Sequence, residues 1–334
     1  MEHLQLAGTG RLTTRLGFGC STLMGRINRK ESAALLDAAW DAGIRHFDVA
    51  PMYGWGAAES CVGEFLSRKG GEPTVTTKYG IIPPPRPSWI GLARLVARPV
   101  LRAFPGTKQR LGRAAKATLG GSRKAIFSAE EARASLDRSR SALRTERIDL
   151  WLLHDAAASS LTDPLLLEFM HEAVAMGLIG DFGCSQDIPE ISTLYEQRRE
   201  YCRVLQFEWS VRQKVPQFPS SFRIHHRSLT SNFSALRAEL ERRPDLRKRW
   251  SDQLGCDPGL PKTLAALMLK AALVLNPGSI VLASSKSPAH IADNVRAAED
   301  ASLDNTARRF YELVERDLNG PIQEVITRAD SART

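Results

Sequence analysis

Between Pro73 and Ala129 the chain contains no aspartate or glutamate. Its other shortages exclude whole classes of protein. No apolar run approaches the roughly 18 residues of a membrane-spanning helix. The start, Met1-Glu-His-Leu-Gln, lacks the basic head and apolar middle of a secretory signal, which predicts a cytoplasmic location. Cysteine is sparse: Cys20, Cys61, Cys184, Cys202 and Cys256 are scattered, odd in number and without a CxxC pair. That pattern fits a reducing compartment and argues against a structural zinc site, so no metal is expected. Gly17-Phe-Gly19-Cys-Ser-Thr does not match the dinucleotide fingerprint of an open doubly wound sheet, and no GxxxxGK[ST] loop occurs.

What is present is an ordinary globular composition over 334 residues, 43% hydrophobic and 25% charged. A (β/α)₈ barrel needs about 250 residues and tolerates long insertions, so residues 1–334 read as one barrel domain. The net charge of +9 is local. Residues 80–128 hold ten cations (Arg86, Arg94, Arg98, Arg102, Lys108, Arg110, Arg113, Lys116, Arg123 and Lys124), and the remainder is close to neutral.

Strands and helices alternate along the chain. Leu4 to Leu12 reads as a hairpin around Gly8 and Gly10. Strands are predicted at Thr14–Cys20, His46–Val49, Thr74–Thr77, Asp149–Leu153, Ile179–Cys184, Arg203–Phe207, Ser221–His226 and Ser279–Ala283. Helical spacing is read at Arg29–Ala42, Ala57–Ser67, Ser128–Leu143, Asp163–Gly177, Glu190–Arg199, Lys262–Leu275, Pro288–Ala298 and Asn305–Asp317. Ser128 with Glu131 reads as a capping box. Ser228 to Leu260 is polar and basic, with helix expected only near Ser234–Arg243. The tail after Gly320 is expected to be loosely held. Eight alternations predict a (β/α)₈ barrel with an N-terminal hairpin and a long insert after the third strand. The stretch from Lys78 to His154 is more than twice the roughly 30 residues of one βα unit.

Several predicted strands end on groups that handle protons: Asp48 and then Tyr53, Lys78, and His154. A parallel barrel places its chemistry at that end. Taken singly, each has a plainer reading. Tyr53 would be structural, Lys78 a solvated strand-end lysine, Asp48 a turn residue near Pro51, and His154 a core histidine.

The chain resembles the aldo-keto reductase superfamily, bacterial sugar-dehydrogenase-like members in particular. The motifs are Leu16-Gly-Phe-Gly-Cys20, Asp41-Ala-Gly-Ile-Arg-His-Phe-Asp48, Met52-Tyr-Gly-Trp-Gly-Ala-Ala-Glu59, Val75-Thr-Thr-Lys78, Arg147-Ile-Asp-Leu-Trp-Leu-Leu-His154, Gly183-Cys-Ser185 and Ile291-Ala-Asp-Asn294. The resemblance implies that Asp48, Tyr53, Lys78 and His154 form a catalytic tetrad. It implies an NAD(P)(H)-dependent oxidoreductase interconverting an aldehyde, ketone or sugar C1 with an alcohol or lactone. Tyr53 would give the proton. Its phenol, ordinarily near pKa 10, would be lowered by the Lys78 cation. Asp48 would hold Lys78, and His154 would orient the substrate oxygen.

For the cofactor, the resemblance implicates Gly19, Cys20, Ser185, Gln186 and Gln206. Gln186 departs from the family's usual Asn. Arg227, Ser228 and Leu229 fall where the family closes over the pyrophosphate. Ser284, Ser285, Lys286 and His290 fall around the 2′-phosphate position, and Asp293 and Asn294 match the adenine-contacting pair. His290 is a weak replacement for arginine, so NADP(H) is favoured only slightly over NAD(H). The substrate pocket is expected to include Met52, Trp55, Trp89 and Trp209.

The basic insert opens with Pro83-Pro-Pro-Arg-Pro, a stiff segment. Arg94, Arg98 and Arg102 then line one helical face. Three readings stay open: a lid recognising an anionic substrate, contact of residues 86–104 with an acidic membrane surface, and a disordered or oligomer-contacting decoration. Charge without a recognition motif predicts no nucleic-acid partner, and no feature specifies an oligomer. The rival function is a catalytically silent nicotinamide-nucleotide-binding scaffold or sensor.

Overall fold

The structure, a computed structural model, describes residues 1–25, 27–70, 72–83 and 123–318. It opens on a hairpin, β1 (His3–Gln5) against β2 (Leu12–Thr14). The barrel strands begin with β3 (Leu16–Gly19), β4 (His46–Asp48) and β5 (Thr74–Tyr79). Two short strands, β6 (Ile81–Ile82) and β7 (Arg123–Lys124), pair antiparallel at the root of the insert. The barrel continues with β8 (Ile148–His154), β9 (Ile179–Ser185), β10 (Val204–Glu208), β11 (Phe222–His226) and β12 (Ser279–Ala283). These eight strands, all in parallel register, close on themselves, as the alternation predicts.

Successive side chains in a strand point to opposite faces, and this parity builds two cores. Leu150, Leu152, Val204, Ile224, Ile280 and Leu282 fill the barrel, with Leu6 of the hairpin joining them. Their neighbours Trp151, Leu153, Leu205, Phe207 and Val281 pack outward against the helices. Burying one such leucine contributes about 2 kcal/mol. Gly183 is required in β9 because a Cβ there would stand 1.8 Å from the Val204 carbonyl oxygen.

The helices are α1 (Arg29–Asp41), α2 (Ala58–Arg68), α3 (Ala129–Leu143), α4 (Pro164–Ala175), α5 (Ile188–Gln197), α6 (Thr230–Arg242), α7 (Pro244–Leu254), α8 (Pro261–Leu275), α9 (Pro288–Glu299) and α10 (Leu303–Leu318). Two expectations change. Ser128 caps α3 by accepting from the Glu131 amide, but the Glu131 carboxylate accepts from the Ile126 amide and leaves the reciprocal half of the box unmade. The stretch from Ser228 to Leu260 holds two helices, not one. Leu236 and Leu240 of α6, and Leu246, Trp250 and Leu254 of α7, are buried along narrow i, i+4 stripes. Pro244 divides them by starting α7. Residues 84–122 of the insert, 86–104 and Trp89 among them, and the tail after Gly320 lie outside the described residues.

Candidate active site

Barrel closure brings the strand-end groups together. Lys78 and Asp48 are 1% and 4% exposed. The Lys78 ammonium donates to Asp48 Oδ1 at 2.8 Å, to Oδ2 at 2.8 Å, and to the Val49 carbonyl at 3.0 Å. An ammonium has three donors, and all are used. Burial pulls the Lys78 pKa down, but the charge of Asp48 and the nearby Tyr53 reverse this, and the net direction is upward. Lys78 is therefore a fixed cation at neutral pH.

Tyr53 opens a short turn, Tyr53–Gly56, in which Gly54 and Trp55 are left-handed at φ 58° and 60°. Gly54 is needed twice over, since a Cβ would meet the Leu23 carbonyl oxygen at 2.7 Å. The turn sets the half-buried Tyr53 ring 5.4 Å from the Lys78 Nζ and edge-on to His154, with centroids 6.5 Å apart. Here the sequence expectation needs correcting. Burial raises the phenol pKa by more than Lys78 lowers it, so the net direction is up. The phenol keeps its proton at neutral pH.

His154 ends β8, and its pKa is lowered to about 3 by burial first and by Lys78 second, so the imidazole is neutral. Asp155 follows in a left-handed conformation, φ 60°. It pairs with Lys124 at the insert root at 2.8 Å. Burial raises the Asp155 pKa, but hydrogen bonds from Lys124 and Gln186 outweigh it, leaving the carboxyl below its ordinary value. Left-handed non-glycine residues thus stand at three corners of the mouth, at Trp55, Asp155 and Arg227.

The residues assigned to the cofactor divide into engaged and unengaged groups. The Ser185 hydroxyl donates to Gln206 Oε1 at 2.8 Å, and Gln206 Nε2 donates to Asp48 Oδ2 at 2.7 Å. Gln186 accepts from the Asp187 amide at 2.9 Å and is held by Asp155. Gly19 and Ser284 adjoin: a Cβ on Gly19 would lie 2.4 Å from Ser284 Oγ. The Cys20 thiol is buried, and burial and then Asp48 push its pKa well up, so it is no nucleophile. Ser285 is engaged with Ser287 in the turn before α9. Lys286 and His290 are exposed, and Asn294 is half-buried. Asp293 pairs with Lys262 and Arg296. Arg227, expected on a pyrophosphate, pairs with Glu208 at 3.6 Å. Leu229 packs against the core. Among the pocket residues, Met52 flanks Tyr53, and Trp55 is 40% exposed. Trp209, expected in the substrate pocket, is a core residue with one face stacked on Tyr311 of α10.

Among the described residues, three polar groups at this end have buried atoms with no hydrogen-bond partner: Thr22 Oγ1 in the loop after β3, Ser228 Oγ and His226 Nδ1. The last two sit at or just past the end of β11. His226 shares the inward parity of Ile224 and lies within electrostatic range of Lys78 and His154, and burial lowers its pKa to about 3. Sequence reading passed over His226. The available signal was a titratable residue at a strand end directly before Arg227. Unpaired buried donors are costly, and a phosphate-bearing ligand with a flat polar ring would satisfy such donors. The residues therefore fit a nicotinamide dinucleotide.

A parallel barrel thus carries a buried ammonium–carboxylate pair, a phenol and a neutral imidazole at its mouth. The model of the Aldo/keto reductase family matches residues 15–215. The chain belongs to that family. It is 31% identical over 199 residues to D-threo-aldose 1-dehydrogenase of a Pseudomonas species, covering 56% of this chain and 54% of that one. It is 43% identical over 82 residues to pyridoxal 4-dehydrogenase of Microbacterium luteolum, 24% of each chain. The matched parts are thus about half and about a quarter of these curated relatives' lengths. Among solved structures, glycerol dehydrogenase from Gluconobacter oxydans superposes with a TM-score of 0.67 at 16% identity, covering 96% of this chain and 97% of that one. An aldo-keto reductase from Klebsiella pneumoniae in complex with NADPH gives 0.61 at 18% identity, covering 93% and 95%. At those identities the likeness is one of fold.

Proposed function

We propose that this chain is an NAD(P)(H)-dependent oxidoreductase, a single barrel domain interconverting a carbonyl (aldehyde, ketone or sugar C1) with an alcohol or lactone. The observation that carries the reading is the convergence of Asp48, Lys78, Tyr53 and His154 at one barrel end. The bound nicotinamide supplies or accepts the hydride. Tyr53, protonated at neutral pH, holds the proton that the reduced carbonyl oxygen takes. Lys78 stabilises the phenolate left behind, and Asp48 keeps that cation in place. Neutral His154 donates one N–H to the substrate oxygen without adding charge.

Ser185, Gln186 and Gln206 would hold the nicotinamide carboxamide, and Ser228 would donate to the pyrophosphate. Arg227 would reach that group by leaving Glu208. Lys286 and the first-turn amides of α9, whose Ser287 cap makes no side-chain bond, would face a 2′-phosphate. Lys286 favours NADP(H) slightly, and the NADPH in the Klebsiella enzyme's complex supports this. The aldose and pyridoxal dehydrogenases among the relatives support a sugar C1 or an aromatic aldehyde as substrate. Met52 and Trp55 would wall it. Lys124 at the insert root would attract an anionic one.

The test is a panel of aldehydes and sugars with NADPH and NADH, followed at the reduced-nicotinamide absorbance band. Turnover is expected, with Tyr53→Phe slowing it about 10³-fold and leaving cofactor affinity within about twofold. Tight cofactor binding with no turnover on any substrate would instead mark the chain as a binding scaffold.

A further inference from the structure

The Tyr53 turn contains three successive left-handed residues, Gly54, Trp55 and Gly56, at φ 58°, 60° and 79°. A bulky residue in that conformation is strained and persists only where its surroundings hold it. The turn runs through Ala57 directly into α2, which begins at Ala58 with no side-chain cap. Glu59, in the first turn of α2, is 5% exposed. Its Oε1 accepts the Thr77 hydroxyl at 2.7 Å, and Ser139 of α3 also bonds the carboxyl group. Thr77 lies on β5 directly before Lys78. Alternation sends the Thr77 side chain outward with Val75, toward the helices, while Lys78 stands in register with Leu152 of the barrel interior. One residue of β5 thus grips α2 from outside the barrel, and the next presents the ammonium inside it.

Apolar packing holds the body of α2. Cys61, Val62, Phe65 and Leu66 are buried, and Gly63 lies so close to α3 that a Cβ would meet the Ala142 carbonyl oxygen at 2.3 Å. Apolar contact is not directional and leaves small shifts of the first turn cheap, whereas a hydrogen bond weakens steeply with angle. A buried carboxyl group is also a costly way to fill space, and an apolar side chain would serve packing alone better. The Glu59–Thr77 bond survives either protonation state of Glu59, because a hydroxyl both donates and accepts. Taking Tyr53 as the proton donor of the function proposed above, we propose that Glu59 is a positioning residue: through Thr77 it fixes the first turn of α2, and with it the Tyr53 turn, on the strand that carries Lys78. The phenol ring and the ammonium, 5.4 Å apart, would thereby keep their relative placement through the catalytic cycle.

The test sets Thr77→Val, which keeps the shape and removes the hydroxyl, beside Glu59→Gln, which keeps an oxygen for that hydroxyl. Thr77→Val is expected to lower kcat by about 10- to 100-fold, the scale of a misplacement of about 1 Å. The solvent deuterium isotope effect on kcat should rise, because proton transfer from Tyr53 becomes the slower step. Cofactor affinity, measured by calorimetry, should not change. Glu59→Gln should keep the wild-type rate. If Thr77→Val does not fold, Glu59→Met breaks the same bond from the other side and is read by the same measurements. Four results would each overturn the inference while leaving the oxidoreductase reading intact: a wild-type rate in Thr77→Val, a loss as large in Glu59→Gln, slowing with an unchanged isotope effect, or slowing with a parallel loss of cofactor affinity. No turnover by wild type on any carbonyl would overturn that reading, and this inference with it.

Discussion

The two ends of the barrel each bury a carboxylate against a cation, and they treat it differently. At the closed end, Asp149 takes the Arg11 guanidinium at 2.8 and 3.1 Å and the Val75 amide at 2.8 Å. The hairpin that carries Arg11 also seals this end with Leu6, and Arg203 joins Asp181 at 2.6 Å. A recess of about 460 Å³ opens here, but its cations are engaged: Arg11 by Asp149, Arg144 by Glu64, and Arg147 by the Thr9 carbonyl. At the open end, Asp48 takes a buried ammonium, and around it stand left-handed residues, a neutral His154, and buried atoms of Ser228 and His226 without a hydrogen-bond partner among the described residues. One end closes its carboxylates with arginines. The other pairs its carboxylate with a buried lysine beside a phenol and an imidazole.

The contrast can be broken by removing the cation at each end. Lys78→Met leaves Asp48 in the dry interior with only Gln206, and should cost about 3–5 kcal/mol of stability and most of the turnover. Arg11→Met should cost about 1 kcal/mol, because the Arg11 side chain is one-third exposed and Asp149 keeps the Val75 amide. Urea unfolding measures both, and equal losses would show that the ends do not differ.

A smaller effect is expected at His225. This residue is fully buried against Phe207, and neither ring nitrogen has a hydrogen-bond partner among the described residues. Phenylalanine there should stabilise the chain by about 1–2 kcal/mol at pH 7. The pKa values of His46, His154, His225 and His226 are all lowered to about 3 in the fold. Between pH 6.5 and 3 the unfolded chain therefore binds more protons, and stability falls as pH falls through that window. His225→Phe should flatten the slope by about 1.4 kcal/mol per pH unit there. An unchanged slope would mean that the imidazole is not held neutral.

Ser228→Ala should produce the smallest change and the most local one. Its hydroxyl has no hydrogen-bond partner to lose among the described residues, so the melting temperature should stay put. Cofactor affinity should weaken by a few-fold, up to about tenfold. Loss of melting temperature with unchanged affinity would place Ser228 among the structural groups.

The eight strands were legible because each is a short apolar run between turn signals, and the four strand-end groups were legible because polarity interrupts those runs. Helix α6 was read only from Ser234 onward, and α7 was missed. Leu236, Leu240, Leu246, Trp250 and Leu254 form stripes one residue wide inside a heavily charged stretch, so average polarity masked them. The phenol's direction of shift was misjudged because Lys78 is named in the sequence and the depth of burial is not. The Gln206–Asp48 bond could not be read at all, since only closure of the ring brings β10 opposite β4.

The most direct measurement is a single turnover: the chain is loaded with reduced cofactor, mixed with an aldehyde it accepts, and the nicotinamide absorbance is followed. The account predicts that wild type oxidises its bound cofactor and that Tyr53→Phe holds the same cofactor without oxidising it. Equal rates in the two chains would contradict it.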